Sequence, residues 1–444
     1  MEGSIYDHTD QEAKKFISIF YQIFNFRQAP VHGCSLPIFD FKQCLFDLNN
    51  FLLFLYKLRI QHLILRNVGR MDNTLSPDLY YFQSLKELGI WDCPVLFPSQ
   101  FKVLTNLRNL KLIRVRISNR QLEILVSGCP NLENLNLSDC PTLLDFQICA
   151  PNLLLLDIEM SEWTRFSLID APRLKHVTLS DLVDLSDDLD NSSREKEDKD
   201  DHLVKLLMNL SHIERFSIAC YKEIFKYTSI EQLPDSLSTG HQLANLKELS
   251  IRLALSDVKM VSFLLFLLRS CPNLQQLALE DGSIGPGSPF ETDYWEKQRH
   301  PKCLINHLTK IQIKNIGLGD RNVLDLMKFF WLNARVLIKM SITINCFRFD
   351  WALVKEITAN EFFPLKRASP HALIEIKPRG RYECYSFEIY YSSVGVVLFS
   401  LTKAREQGLT SIKMMYDAVD VINAIKGADD WFTSSYVLDI LECA

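Results

Sequence analysis

The sequence predicts an α/β solenoid, a curved parallel sheet of short strands joined by helical or irregular return segments. Three observations predict it. The apolar pattern LxxLxL, with Leu, Ile, Val, Phe or Met at its fixed places, recurs eleven times along the chain. Early copies start 21 to 25 residues apart, which is the period of a leucine-rich repeat. Two return segments end in the same Cys-Pro-Asn phrase directly before the next copy. A single LxxLxL carries no information, because leucine is common, but eleven copies mostly in register define an array.

Taken in chain order, residues 1–57 read as an N-terminal cap and residues 58–345 as the repeat array. A weak copy, Ile60-Leu63-Leu65, opens the array. Leu85-Leu88-Ile90, Leu107-Leu110-Leu112, Leu132-Leu135-Leu137, Leu153-Leu156-Ile158 and Leu174-Val177-Leu179 follow. After a gap come Ile213-Phe216-Ile218, Leu246-Leu249-Ile251, Leu274-Leu277-Leu279 and Leu308-Ile311-Ile313, and a weak copy at Leu337-Met340-Ile342 closes the series. Side chains alternate across a strand, so Leu88 and Ile90 turn inward while Glu87, Gly89 and Trp91 turn outward. No repeat can bury its leucines alone; stacked neighbours share one core and one sheet.

Between strands, Ser118 is placed to cap a helix over NRQLEILVSGCPN. The segment SDVKMVSFLLFLLRSCPN has the same layout before Leu274, and in both the proline ends the helix. Two copies extend to LxxLxLxxC, which makes Cys93 and Cys140 structural residues at the exit of their strands. Residues 184–202 carry nine acids and three bases with almost nothing apolar, and read as a solvated loop lengthening the step from Leu174 to Ile213. The glycines of GSIGPGSP at 282–289 are a loop, since Pro286 and Pro289 deny them the helix that a phosphate cradle needs. Phe263, Phe266 and Leu267, and the run Phe329-Phe330-Trp331, read as core packing.

Composition bounds the function. Of 444 residues, 47% are hydrophobic and 23% charged, which is globular, and the net charge of -5 argues against a general polyanion binder and so against nucleic acid. The twelve cysteines include no CxxC pair, and the ten histidines no HExxH, so no zinc site, cofactor or metal is expected. The opening MEGSIYDHTDQEAKKF is charged where a leader would be apolar, and the longest apolar runs, such as Phe263–Leu268, are too short to cross a bilayer. A cytoplasmic or nuclear protein with reduced cysteines and no membrane partner is expected. No nucleophile elbow or nucleophile–base set appears in the array, so catalysis is not expected there.

What remains is the outward side of the strands, expected to form a concave face that binds a protein ligand. Its candidate binding residues are Glu87, Trp91, Asn109, Lys111, Asn134, Asn136, Asp157, Glu159 and His176, then Glu248, Arg252, Gln276, Glu280, Lys310 and Lys314. Trp91 is expected to be exposed and energetically prominent.

The phrases SGCPNLENLNL and RSCPNLQQLAL, together with LMKFFWLNARVLIKMSI and EFFPLKRASPHALIEI, resemble the plant F-box/leucine-rich-repeat proteins of the FBD type. The resemblance covers about residues 15 to 376 and makes 346–379 an FBD-like segment. It implies the substrate-binding half of a ubiquitin-ligase receptor. The family's F-box, which grips a Skp-type adaptor of a cullin ligase, is not recognised in the sequence, so that contact is carried over to no residue.

Residues 380–444, with VVLFSLTKAREQGLTSIKMMYDAVDVINAIKGADDW, resemble part of a plant ribonuclease-H-like domain. There Asp417 matches by position a carboxylate that holds a catalytic metal. Two-metal cleavage needs a cluster of carboxylates. The glutamate expected early in the preceding helix is replaced by Val396-Val397-Leu398-Phe399, so Asp417 is expected to cap a helix rather than to hold metal. The alternative function is nucleic-acid binding or cleavage of RNA–DNA hybrid through this segment.

Overall fold

In the computed structural model the described residues are 32–38, 52–67, 82–92, 104–160, 165–181, 202–219, 233–283, 287–317, 320–344, 365 and 367–378. Cys93, most of 1–57, of the acidic stretch 184–202 and of 346–379, and the whole of 380–444 with Asp417 lie outside them. The chain divides into two compact units, the first reaching to Arg252 and including residues 269–272, the second holding the remainder.

The first unit contains nine parallel strands in one order: β1 (Gly33–Ile38), β2 (His62–Asn67), β3 (Glu87–Trp91), β4 (Asn109–Ile113), β5 (Asn134–Ser138), β7 (Leu155–Met160), β9 (His176–Asp181), β10 (Arg215–Ala219) and β11 (Glu248–Leu253). Omitted from that order are β6 (Asp145–Cys149) and β8 (Arg165–Asp170), which pair with each other in a separate two-stranded sheet. In the second unit β12 (Gln276–Asp281), β13 (Lys310–Ile316), β14 (Lys339–Ile344) and β15 (Leu373–Pro378) are parallel in that order. Every LxxLxL copy is thus a strand. The pairing also runs beyond the copies at both ends, to β1 and β15.

The reason these residues stack is visible in the turn before each strand. The leading leucine donates its N–H to the carbonyl of a buried residue three places earlier: Leu85 to Phe82 O, Leu107 to Leu104 O, Leu132 to Cys129 O, Leu153 to Ala150 O and Leu246 to Leu243 O. Two residues on, the chain enters its strand. There the carbonyl of the preceding repeat takes two successive N–H groups, as Lys86 O does from Arg108 and Asn109, and Arg108 O from Glu133 and Asn134. This repeated bracket fixes register, so Leu88, Leu110, Leu135 and Leu156 fall side by side in the core, none more than 1% exposed. Burying each such leucine stabilises the fold by about 1.5–3 kcal/mol before chain entropy is charged.

Strand exits are equally regular. Asp92, Arg114 and Asp139 each follow the last strand residue with φ of 60°, 50° and 50°, and each passes its N–H to the neighbouring strand, Asp92 to Ile113 O, Arg114 to Ser138 O and Asp139 to Glu159 O. Cys140, next in line, is buried with its thiol against Leu112 O and Ser138 O, as expected of the LxxLxLxxC cysteine. Burial pushes that thiol up to about 11.

Helices fill the return side. In α1 (Asn119–Ser127) Ser118 caps through Gln121 N, and the Gln121 side chain returns to Ser118 N, a complete capping box. Leu122, Leu125 and Val126 face the core. A shorter helix, α2 (His202–Asn209), precedes β10. The long apolar α3 (Val258–Ser270) begins at Asp257, whose carboxylate accepts Lys259 N and Met260 N, and it buries Phe263, Phe266 and Leu267. Two helices of the second unit follow, α4 (Lys302–Asn306) and α5 (Arg321–Asn333), the latter capped by Asp320 and burying Phe329, Phe330 and Trp331.

The second unit also holds a buried polar knot. Asn322, 2% exposed, donates to Ser256 O and Ser288 O at 3.1 and 2.8 Å and accepts Phe290 N at 3.1 Å. Asp281 accepts Leu255 N, Ser283 N and Ser283 Oγ on one carboxylate oxygen. At Gly287 a β-carbon would lie 2.2 Å from Ser256 O, so only glycine fits. Beyond this knot Trp295 rests on Phe329 with ring centroids 4.9 Å apart.

Candidate ligand-binding face

Because the strands pair in register, apart from a shift between β13 and β14 after Ile313, their outward side chains form rows within each unit. On the first unit the leading row includes His62, Glu87, Asn109, Asn134, His176, Arg215 and Glu248. A middle row holds Gly89, Lys111, Asn136, Asp157 and Thr178; a trailing row holds Arg66, Trp91, Ser138, Glu159, Ser180 and Arg252. The second unit presents Gln276, Lys310 and Lys339, then Gln312 and Ser341, then Glu280 and Lys314. All the sequence-predicted residues therefore project on the outward side of their strands, as alternation requires.

Neighbours within a row bind one another. His62 Nδ1 lies 3.0 Å from Glu87 Oε2, and Arg215 Nε 3.1 Å from Glu248 Oε2. Asn134 donates to Asn109 at 2.5 Å, Asn136 to Asp157 at 2.5 Å, and Ser138 to Glu159 at 2.8 Å. In the second unit Glu375 takes Ser341 Oγ at 3.0 Å and Lys339 Nζ at 2.9 Å, and is only 7% exposed despite its outward position.

Trp91 departs from expectation. It is half-buried rather than exposed, because the Arg66 guanidinium lies over its ring at 3.6 Å from the centroid, with Lys111 Nζ at 5.8 Å. Arg66 and His62 were not among the candidates. They occupy outward places of the weak Ile60-Leu63-Leu65 copy, and the same alternation that found Trp91 would have found them.

Electrostatics separates the rows further. Burial raises the Asp157 carboxyl above its ordinary range, and Glu159 on the same strand pushes the same way, while the Asn136 hydrogen bond and Lys111 oppose. Burial, then Arg215, holds His176 below its ordinary 6.5. Among the described residues no three His, Cys, Asp or Glu side chains converge as a metal ion would need, and no helix is long and apolar enough to cross a membrane.

The fold and this face define a leucine-rich-repeat protein: stacked short parallel strands, a shared leucine core and a solvent side of adjustable lettering. Its particular kinship comes from comparison. Residues 48–196 match the family model described as FBD-associated F-box protein At5g56370, LRR repeats, and residues 296–342 match the FBD model. The F-box/FBD/LRR-repeat protein At1g13570 of Arabidopsis thaliana is 28% identical over 326 residues, covering 71% of this chain and 73% of that protein. F-box/FBD/LRR-repeat protein At5g22660 of the same plant is 27% identical over 324 residues, covering 65% and 69%. The chain therefore carries both segments, the repeats and the FBD, after which these relatives are named. An internalin from Listeria monocytogenes aligns over 79% of this chain and 82% of that one, with 12% identity and a TM-score of 0.26.

The FBD match falls on α4, β13, α5 and the start of β14. Just beyond it the Arg367-Ala368-Ser369 phrase proves to be a staple: Ser369 Oγ donates to Leu337 O at 2.7 Å, Ala368 N to Trp331 O at 3.1 Å and Arg367 to Ala372 O at 3.3 Å. Within the second unit, that phrase ties the turn before β15 to α5 and to the approach to β14.

Proposed function

We propose that this chain is a non-enzymatic recognition module that binds a partner protein on the outward face of its sheet. It would serve as the substrate-binding half of an F-box/LRR-type receptor, working in the cytoplasm or nucleus. The observation that carries this is the continuous register of successive strands, which sets mostly polar outward side chains, with Trp91 among them, in three rows. Such a surface offers many weak contacts at fixed spacing, and Trp91 and Arg252, of the residue types that dominate interface energetics, stand in its trailing row. The relatives' F-box names supply the ligase context.

The test is quantitative co-purification from plant cells with tagged full-length protein, wild type beside Trp91→Ala and Arg252→Ala. A partner held by the wild type and lost by both folded variants supports the reading. Equal recovery with all three sinks the assignment of the face. Whether a Skp-type adaptor and cullin come down in the same sample decides whether the chain acts inside a ligase or beside one.

A further inference from the structure

On the first unit, some charged groups of the outward face are already engaged by a neighbour. Glu248 pairs with Arg215, and Glu87 lies within hydrogen-bond distance of His62. Arg114, at a strand exit, has Asp92 in a two-pronged contact at 2.5 and 2.9 Å.

Two groups of charges differ. Arg66 and Lys111 converge on Trp91 from the flanking strands. Among the described residues neither makes an ion pair with a carboxylate, although Lys111 acts on Asp157 from two strands away. A guanidinium over an indole ring still carries N–H donors that a carboxylate can take. Asp157 and Glu159 are the second group, side by side on β7. In register their neighbours are Asn136, Ser138, Thr178 and Ser180, all neutral. Asp157 accepts from Asn136 and Glu159 from Ser138, and each carboxylate keeps further acceptor capacity. Burial already disfavours the Asp157 charge, so an incoming cation has more to gain there than at an exposed acid.

We infer that this face takes an extended segment of a partner protein laid across the strands, its carboxylate on Arg66–Trp91–Lys111 and its cation on Asp157–Glu159. This rests on the proposed binding role of the face and adds the chemistry of the occupant. The spacing follows from the sheet. From β3, where Trp91 sits, to β7 is three strand-to-strand steps. At ~4.8 Å per step and ~3.3 Å per residue of extended chain, the two charges of the segment stand about four to five residues apart. Both charged groups lie in the middle and trailing rows, so the segment runs along those rows and not along a strand.

The experiment is selection of a displayed random peptide library on the full-length chain, followed by charge exchange. Enriched peptides are expected to carry Asp or Glu with Arg or Lys about four to five residues away. Neutralising either charge is expected to weaken binding at least ~10-fold. Lys111→Glu is expected to abolish binding of the selected peptide and to regain it when the peptide acid is changed to lysine, which shows that the variant is folded. Asp157→Lys is the converse, with the peptide cation changed to glutamate. Thr178→Trp, a plug in the middle row beside Asp157, separates the two readings. Peptides blocked by Thr178→Trp yet indifferent to charge and spacing overturn this inference and leave the face as a binding surface. Peptides blocked by none of the substitutions overturn both. A library that yields no binder, while Trp91→Ala still releases a cellular partner, overturns the extended-segment inference alone.

Discussion

Asn322 is the residue whose replacement tests the packing of the second unit most directly. It is buried, it makes three hydrogen bonds to backbone groups of residues 256, 288 and 290, and it lies in the first turn of α5. Asn322→Ala leaves Ser256 O, Ser288 O and Phe290 N without that partner. Each such bond contributes about 0.5–1.5 kcal/mol net, so the loss is about 2–4 kcal/mol if the orphaned groups stay dry. They have little room to move: Gly287 already sits where a β-carbon would meet Ser256 O at 2.2 Å. Asn322→Leu fills the volume without the hydrogen bonds, and is expected to be destabilising by a similar amount, which separates lost polar contacts from a cavity. Repeat arrays need not unfold in one step, so native-state hydrogen exchange at the Phe290 amide is the proper assay. Exchange there is expected to quicken about 30-fold or more, the equivalent of about 2 kcal/mol. A change corresponding to less than about 0.5 kcal/mol, with Asn322→Leu no worse than wild type, would refute the reasoning.

Three further outcomes follow. Leu135→Ala, in the middle of the first unit's core, is expected to cost about 2–4 kcal/mol, read as a lower denaturant midpoint; Leu144→Ala, half-exposed, serves as the control and is expected to change little. Ser118→Ala removes one half of the α1 capping box and is expected to cost about 1 kcal/mol, whereas Ser118→Asp is expected to retain most of it; equal losses would contradict the cap. His176 is held below 6.5 by burial and Arg215, against Glu214 and Glu248, so the native state resists its protonation. Its penalty is absent well above pH 6.5, grows as pH falls from about 6.5 through the depressed value, and levels off below that. Melting-temperature profiles of wild type and His176→Gln are expected to diverge over that window; parallel profiles would remove His176 from the account.

Much of this architecture was readable beforehand, because leucine spacing records register directly. The eleven copies became strands, and the alternation around Leu88 and Ile90 set which side chains turn away from the leucine core. The Ser118 cap and the buried Cys140 were equally local signals. The strands not marked in the sequence differ in kind: β15 lacks the leading leucine, whereas β6 has one in Leu143. In β15 the anchoring turn is made by Ala372, one residue before the strand, where Leu337 stands two residues before β14. In β6 and β8, Phe146 and Ile148 face inward beside Phe166, but alternation alone names no pairing partner, and these two pair only with each other. The Glu375 position is outward by count and buried in fact. The charge state of the face was hidden for another reason. Whether Lys111 or Asp157 has a counter-ion depends on residues some twenty positions away, and only register brings those into view.

The pairing of β9 with β10 has a consequence for how such chains diversify. Thr178 meets Ser217 and Leu179 meets Ile218 in unbroken register, although Leu174 and Ile213 stand 39 residues apart where early neighbours stand 21 to 25 apart. Return segments can therefore lengthen without disturbing the rows, since loop closure costs grow only slowly with length. An insertion of one residue inside a strand, by contrast, would exchange inner and outer faces for that strand. Two kinds of change are thus uncoupled: length varies on one side of the molecule, while on the other single outward letters can be rewritten without touching a leucine. A lineage of these proteins could acquire new recognition surfaces by point substitution at fixed grid positions, with the core acting as an unaltered ruling beneath the text.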